Sequence, residues 1–317
     1  MESVLRSAIL AASRNRRIEQ LVSNAPVSRD VVRRYVGGAN TESAVAAIAP
    51  LYADGLTVTL DHLGEDTTDR AQADGVVAAY RELLSALHEQ HLTERLAPLT
   101  ARAEVSVKLS AIGQALGADG EKIALENARE IAAAAEAVGA TVTLDAEDHT
   151  TTDSTLGILA DLRADFPATA AVLQAYLHRT EGDCKDLATA GSRVRLCKGA
   201  YKEPAGVAYQ KSLDVDLSYV RCTNILMAGD GYPMLATHDP RLIEIGIERA
   251  TFHDKSGYEL QMLYGIRPNE QRRLAQAGHT VRVYLPYGAQ WYGYLMRRLA
   301  ERPANMMFFA RSLVSKG

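Results

Sequence analysis

Residues 104–109 of the chain read Glu-Val-Ser-Val-Lys-Leu, a short run in which aliphatic and polar side chains alternate strictly. Successive side chains of a strand point to opposite faces, so the aliphatic residues share one face while Ser106 and Lys108 lie on the other. A parallel strand that is covered by helices usually reads as a continuous apolar run. The run therefore predicts a strand with one polar face, which suits a barrel strand that ends at an active site.

Further β-rich runs follow the same pattern, separated by alanine-rich helical stretches. They are Thr57–Asp61, Thr141–Asp145, Ala171–Tyr176, Arg193–Cys197, Tyr232–Thr237, Glu259–Leu263 and Val281–Pro286. Strands that alternate with helices indicate an α/β fold with a parallel sheet, and eight strands is the number that closes a barrel. We therefore predict a distorted (βα)8 TIM-type barrel. A doubly wound open sheet is the alternative that the pattern leaves open.

Polar side chains in the same phase occur in several of these runs. They are Asp61, Asp145, Gln174, Arg195, Thr237, Gln261 and Tyr284. The barrel interior is therefore expected to be polar near its carboxyl rim, where barrel enzymes place their active sites. A core that served only for packing would have no use for so much charge.

The first fifty residues read as short helices, with a cap signal at Thr41-Glu42-Ser43 after the Gly37-Gly38 pair. We predict a helical arm over residues 1–50 and a barrel domain over residues 51–317. The helix that follows the last strand is expected to cap the barrel mouth.

Composition excludes several classes of protein. The 317 residues carry 35 basic and 39 acidic side chains, a net charge of −4, without a basic run, so nucleic-acid binding is not expected. No apolar stretch approaches the ~18 residues of a membrane span, and an early acid and several arginines argue against a signal peptide. Cys184, Cys197 and Cys222 share no metal spacing and are odd in number, which fits a reduced cytoplasmic interior.

Lys108 and Asp145 are expected at the ends of adjacent strands. They are either a buried ion pair that holds the barrel together or part of a functional site. Desolvation offsets the attraction in a buried pair, so such a pair is weak evidence for a stabilising role alone.

Residues 194–201 read Val-Arg-Leu-Cys-Lys-Gly-Ala-Tyr and lead from a strand directly into a glycine turn. The cations Arg195 and Lys198, together with backbone N–H groups exposed by Gly199, suit a phosphate or a reduced flavin ring. An ordinary turn with exposed cations is the alternative. No G-x-G-x-x-G motif follows a strand, so a flavin would have to be bound by the barrel itself.

Two further motifs have both a structural and a functional interpretation. His238 ends the sixth strand beside Thr237 without the additional ligands of a metal site, so no metal is expected. Arg297, Arg298 and Glu301 have the spacing of a solvated helical salt bridge. However, their helix follows the last strand, where two adjacent guanidinium groups could clamp a small carboxylate.

Taken in order, these segments resemble the proline dehydrogenase family, barrel enzymes that occur alone or within bifunctional proline-utilisation proteins. The matching segments are Leu60–Glu65, Ser106–Ser110, Leu144–Glu147, Leu173–Tyr176, Arg195–Tyr201, Ala236–Asp239, Leu260–Gly265, Arg282–Pro286, Tyr294–Leu299 and Ala304–Asn305. One such segment would be weak evidence, whereas an ordered series is specific. The resemblance is to a monofunctional member, because nothing in the chain resembles an aldehyde dehydrogenase half or a DNA-binding arm.

The resemblance implies a flavin cofactor, FAD, in the barrel mouth. Its contacts would be Ala146, Gln174, Arg195, Lys198, Gly199, Ala200, Thr237, His238 and Glu301. Arg195 would lie beside flavin N5 and stabilise the reduced ring. Met306 and Met307 stand where the family has small or hydroxyl-bearing residues, so we assign no flavin contact to that segment.

The resemblance also implies the substrate contacts. Lys108, Arg297 and Arg298 would bind the carboxylate of proline, Asp145 would position Lys108, and Tyr284 and Tyr294 would wall the pyrrolidine ring. Glu65 would pair with Arg297 as a gate over the closed site.

The implied reaction is hydride transfer from the proline carbon next to nitrogen to the flavin, which gives 1-pyrroline-5-carboxylate in the first step of proline catabolism. No strong general base is visible, so proline would react as the neutral amine. Family members pass electrons to membrane quinone, which leaves a peripheral association with the inner face of the membrane open. The alternatives are a hydroxyproline dehydrogenase and a catalytically inactive barrel that acts as a binding protein.

Overall fold

A computed structural model of the chain describes residues 34–64 and 67–300, with side chains described as far as Met296. Eight parallel strands form a closed barrel, in which the first strand is paired with both the second and the last strand of the barrel. The barrel strands are β1 (Thr57–His62), β4 (Ala103–Val107), β5 (Thr141–Leu144), β6 (Ala170–Gln174), β7 (Arg193–Cys197), β8 (Tyr232–Ala236), β9 (Glu259–Leu263) and β10 (Val281–Tyr287). The predicted barrel is confirmed, and the open sheet is wrong.

A two-stranded antiparallel hairpin, β2 (Arg95–Ala97) and β3 (Thr100–Ala101), precedes β4 and was not predicted. Its strands are too short for a recognisable alternation. Each barrel strand overlaps its predicted run and differs from it by no more than two residues at either end.

Helices surround the barrel in the order expected of a βα repeat. In the described part they are α1 (Thr41–Ala46), α2 (Ile48–Ala53), α3 (Arg70–Glu89), α4 (Gly120–Ala137), α5 (Thr152–Asp165), α6 (Thr180–Leu187), α7 (Ser212–Ala228), α8 (Pro240–Phe252), α9 (Pro268–Gln276) and α10 (Trp291–Ala300). Single 3₁₀ turns lie at Ser110–Ile112, Gly117–Asp119 and His149–Thr151.

Local chemistry explains where the helices begin and which face they bury. The Asp69 side chain accepts the backbone N–H of Gln72 at 2.9 Å and caps α3. Buried residues of α3 at Ala73, Val77 and Tyr80 recur with helical spacing and face the barrel. The main hydrophobic core thus lies between the barrel strands and the helices, where Val105, Val107 and Leu109 are fully buried.

The barrel interior is polar over its whole length, which extends the expectation of a polar carboxyl rim. In the amino-terminal half, Glu104 pairs with Arg193, and Arg282 donates to Glu259 at 2.7 Å. All four side chains are at most 1% exposed. Charges of opposite sign neutralise each other there. We expected a packed core to have no use for so much charge, and this expectation is wrong for the amino-terminal half of the barrel.

The last helix of the described part packs at the barrel mouth. Tyr292, Leu295 and Met296 of α10 form a second hydrophobic cluster with Leu63, which follows β1, and with Tyr35. This placement agrees with a helix that caps the mouth. The division at residue 50 stays a prediction. α2 begins before that boundary, and Ile48 belongs to the main core.

Candidate active site

A cavity of about 880 Å³ opens at the carboxyl ends of the barrel strands. Its lining includes every residue that the sequence assigned to the site and whose side chain is described. These are Lys108, Asp145, Ala146, Gln174, Arg195, Lys198, Gly199, Ala200, Thr237, His238, Tyr284 and Tyr294. The volume is typical of pockets that bury a cofactor or substrate.

The remaining assignments lie outside what the structure describes. Glu65 and Glu301 are outside the described residues, as are Met306 and Met307. For Arg297 and Arg298 the structure describes the backbone as part of α10 but not the side chains. The gate between Glu65 and Arg297 therefore stays a prediction.

Asp145 is the centre of the hydrogen-bond network on the cavity floor. Its Oδ1 accepts from Ser106 Oγ at 2.7 Å and from Arg195 Nη1 at 2.8 Å, and its Oδ2 accepts from Tyr284 Oη at 2.7 Å. Burial, reinforced by the charges of Asp145 and Asp61, raises the pKa of Tyr284 well above its ordinary value. The phenol therefore keeps its proton and remains a donor to Asp145.

Lys108 is held by a different carboxylate from the one expected. Its Nζ donates to Asp61 Oδ1 at 2.7 Å, whereas the distance from Nζ to Asp145 Oδ2 is 3.8 Å. Burial raises the pKa of Asp61, although the Lys108 ammonium group opposes the shift. Asp61 thus makes the hydrogen bond to Lys108, while Asp145 contributes a longer ion pair, and the role of Asp145 in positioning Lys108 stays a prediction.

Arg195 is fixed on both sides of its guanidinium group. Besides Asp145, Nη1 contacts Ser106 Oγ at 2.9 Å, and Nη2 donates to Glu104 Oε1 at 2.9 Å. Its Nε is buried and has no hydrogen-bond partner among the described residues. A guanidinium group held by three side chains therefore borders the cavity, and this arrangement suits a ligand that develops negative charge.

Gly199 allows the turn after β7 to pass close to β6. Its φ is +110°, and a Cβ atom at this position would lie 2.4 Å from the Tyr176 ring. Only glycine fits such a backbone without displacement. Lys198 in the same turn is not an isolated exposed cation, since its Nζ pairs with Asp216 at 2.6 Å and Asp239 at 3.4 Å.

Gln174 and His238 connect neighbouring loops at the cavity edge. Gln174 Nε2 donates to the Glu147 carbonyl at 2.7 Å, which joins β6 to the loop after β5. His238 Nε2 accepts the backbone N–H of Leu263 at 2.8 Å, which joins the ends of β8 and β9. This hydrogen bond gives the His238 ring a structural role, and the residue also lines the cavity.

Cys197 faces the same cavity between Arg195 and Lys198. Burial raises the pKa of its thiol to about 11, and the nearby Arg195 charge offsets only part of that effect. The thiol is therefore protonated at neutral pH, which does not suit a nucleophile.

Within the part of the chain that the structure describes, no group of three or more His, Cys, Asp or Glu side chains is arranged to bind a metal. Over the same residues, no helix combines the length and the apolar character needed to cross a bilayer.

Comparison with known families decides what kind of barrel this is. The sequence model of the family described as "Proline dehydrogenase" matches residues 44–311. The chain belongs to the proline dehydrogenase family. The resemblance seen in the sequence is thereby confirmed, and with it the assignment to a family of oxidoreductases.

Curated family members align with the chain over almost its whole length. Proline dehydrogenase of Deinococcus radiodurans is 37% identical over 318 residues, which cover 99% of either chain. Proline dehydrogenase 1 of Bacillus subtilis (strain 168) is 35% identical and covers 99% of this chain and 100% of its own. Proline dehydrogenase 2 of the same strain is 36% identical, over 91% of this chain and 92% of its own.

A solved structure of proline utilization A from Bdellovibrio bacteriovorus, inactivated by N-propargylglycine, matches with a TM-score of 0.77. It is 24% identical and covers 86% of this chain, which spans only 32% of that protein. At this identity the match shows the shared fold.

Sequence reasoning within this family missed two interior residues that organise the site, Asp61 and Glu104. Asp61 was placed on the polar face of its strand but was given no role. The pairing of β1 with β4, which sets Asp61 beside Ser106, is the signal that would have found it. Glu104 begins the quoted run and is fully buried, yet the alternation alone does not show that it bridges Arg193 and Arg195.

Proposed function

We propose that the chain oxidises L-proline to 1-pyrroline-5-carboxylate with FAD as its cofactor, in the first step of proline catabolism. The observation that carries the proposal is the fixed Arg195 guanidinium group at one side of a cavity that also holds Lys108. The first cation suits a reduced flavin ring, and the second suits a substrate carboxylate.

The residues of the cavity fit FAD by their chemistry. The Arg195 Nε donor is buried without a partner among the described residues, and the turn after β7 lines the cavity with Lys198, Gly199 and Ala200. The flavin contacts that we propose are Ala146, Gln174, Arg195, Lys198, Gly199, Ala200, Thr237, His238 and Glu301. When bound, FAD would supply the acceptor for the hydride that leaves the proline carbon next to nitrogen.

The substrate would lie between Lys108 and the last helix. We assign its carboxylate to Lys108, Arg297 and Arg298. The two arginines follow Tyr294 by about one turn of α10, and Tyr294 lines the cavity. Tyr284 and Tyr294 would pack against the ring. We propose that Glu65 and Arg297 form a gate that excludes water while the site is closed.

The chain's own contribution to catalysis is position and electrostatics. Asp145 orients Arg195, Ser106 and Tyr284, while Asp61 holds Lys108. No residue is assigned as a base, because proline would enter as the neutral amine. Our proposal includes quinone as the electron acceptor, a cytoplasmic location and a peripheral contact with the inner face of the membrane.

Reconstitution and product analysis test the proposal. The purified protein is loaded with FAD and given L-proline and a soluble quinone, and 1-pyrroline-5-carboxylate is measured. We expect product in proportion to reduced quinone. A parallel assay with trans-4-hydroxyproline tests the hydroxyproline alternative. We expect a much lower kcat/KM for this substrate than for L-proline. Bound FAD without any product from L-proline would refute the proposed reaction.

A further inference from the structure

Three buried or half-buried residues form a polar cluster outside the cavity. His149 begins the 3₁₀ turn after β5, Tyr176 lies two residues beyond β6, and Glu203 follows the turn after β7. None of the three belongs to the cavity lining described above. The cluster therefore connects three consecutive loops of the barrel mouth without lining the cavity.

Glu203 is the hub of this cluster, and it is only 8% exposed. Its Oε1 accepts the His149 backbone N–H at 3.0 Å and the Tyr176 hydroxyl at 3.3 Å. Its Oε2 pairs with His149 Nδ1. One carboxylate thus joins the loops after β5, β6 and β7.

Tyr176 carries this connection to the turn that lines the cavity. Its backbone N–H donates to the Lys198 carbonyl at 2.9 Å, and its ring faces the Gly199 backbone. Its hydroxyl donates to Glu203, as described above. Tyr176 therefore contacts the turn at Lys198 and Gly199, while Glu203 holds the far end of its ring through the hydroxyl.

We propose that Glu203 is a positioning residue that holds residues 198–201 in their ligand-binding shape through Tyr176 and His149. This inference rests on the proposed function, because it takes the turn as part of the FAD site. Burying a carboxylate is costly unless several donors satisfy it. Such a group is expected where the fold must hold a loop in one conformation, and here it serves the loops that would contact FAD.

The experiment measures FAD affinity rather than turnover. Apoprotein is titrated with FAD, the dissociation constant is taken from the change in flavin fluorescence, and thermal unfolding of each apoprotein is recorded. Glu203→Gln keeps the size of the side chain but removes its charge, and Tyr176→Phe keeps the ring. Tyr52→Phe is the matched control, because its hydroxyl donates to the Leu92 carbonyl at 2.8 Å, away from the cavity.

Loss of a charge-assisted hydrogen bond predicts a dissociation constant for FAD about tenfold higher in Glu203→Gln. Tyr176→Phe should weaken binding several-fold, and Tyr52→Phe should leave it unchanged. Either of the first two variants suffices if the other does not fold. The inference fails if every variant of these two that folds binds FAD within twofold of the parent, or if Tyr52→Phe weakens binding equally. A parent protein that takes up no FAD would instead refute the proposed function, and this inference with it.

Discussion

Asp61 and Asp145 lie close together on the cavity floor, yet they serve different neighbours. Asp61 binds Lys108, which we place on the substrate side. Asp145 binds Arg195 and Tyr284, and the former is placed beside the flavin. We therefore propose that Asp61 acts mainly on substrate binding, whereas Asp145 acts mainly on the flavin through Arg195 and also orients Tyr284 on the substrate side.

Substitution of each carboxylate by its amide tests this division. Asp61→Asn should raise KM for proline by ten- to a hundredfold with little change in kcat, because a buried cation loses its ionic partner. Asp145→Asn should lower kcat and shift the flavin reduction potential, because Arg195 loses its ionic contact with Asp145 and keeps only Ser106 and Glu104 as partners. Steady-state kinetics and redox titration measure both effects. Asp74→Asn, in an exposed pair with Arg70, is the control. Identical effects from the two amides would refute the division.

For single residues, the sequence predicted which side chains face the barrel interior but not which side chains they contact there. Strand alternation correctly assigned Lys108, Arg195 and Tyr284 to the interior, because side-chain direction depends only on position within a strand. It could not pair Lys108 with Asp61, since this contact depends on the closure of β1 against β4.

Among the secondary-structure elements, α10 is the one to which we assign most of the proposed substrate contacts. Its Tyr294 lines the cavity, while Leu295 and Met296 pack with Leu63 at the mouth. One helix thus combines a cavity wall with a hydrophobic anchor, which makes it a suitable carrier of the proposed carboxylate clamp.

Loss of either arginine from α10 should therefore weaken substrate binding selectively. Arg297→Met and Arg298→Met should each lower kcat/KM for proline by roughly 30-fold or more, mainly through KM, since breaking a buried charged pair costs ~2–5 kcal/mol. The flavin spectrum should remain that of the parent. Arg272→Met is the control, because Arg272 lies on α9 and forms a half-exposed pair with Asp54. Unaltered kinetics in both α10 variants would indicate a merely solvated helix face.

The ends of strands and the short β2–β3 hairpin could not be predicted from the local sequence pattern. The alternating run over residues 104–109 continues to Leu109, but β4 ends at Val107 because the backbone of Leu109 is helical and leads into the 3₁₀ turn at Ser110–Ile112. The β2–β3 hairpin offers only three- and two-residue strands. Tertiary contacts, rather than propensity, decide such short elements.

For the whole molecule, the main departure from expectation is the ionic interior of the barrel. Glu104 lies at its centre, between Arg193 and Arg195, and accepts from Thr59 at 2.8 Å. Burial favours protonation of this carboxyl, but Arg193, Arg282 and Arg195 together hold its pKa below the ordinary value. The barrel is predictable from the strand count, whereas this network depends on which strands face one another across the interior.

Glu104→Gln should destabilise the fold by about 3–5 kcal/mol, the usual cost of leaving buried cations without their partner. A carboxyl whose pKa is lowered by folding stabilises the protein above its unfolded pKa of about 4.3 and loses that contribution as the pH falls further. The parent should therefore lose more stability below this pH than the variant does.

Urea unfolding at neutral pH and under mildly acidic conditions, down to below pH 4.3, measures both effects. Glu130→Gln, in an exposed pair with Arg81, is the control and should change the free energy of unfolding little. An equal acid dependence in the parent and in Glu104→Gln would rule out this role for Glu104.

Anaerobic titration of the purified, FAD-loaded protein with L-proline tests most directly whether the barrel mouth is a proline-oxidising flavin site. We expect the visible flavin absorbance to decrease with each addition until the bound FAD is fully reduced, and 1-pyrroline-5-carboxylate to form in equal amount. A protein that takes up no FAD, or one whose bound FAD stays oxidised in excess L-proline, would contradict this function.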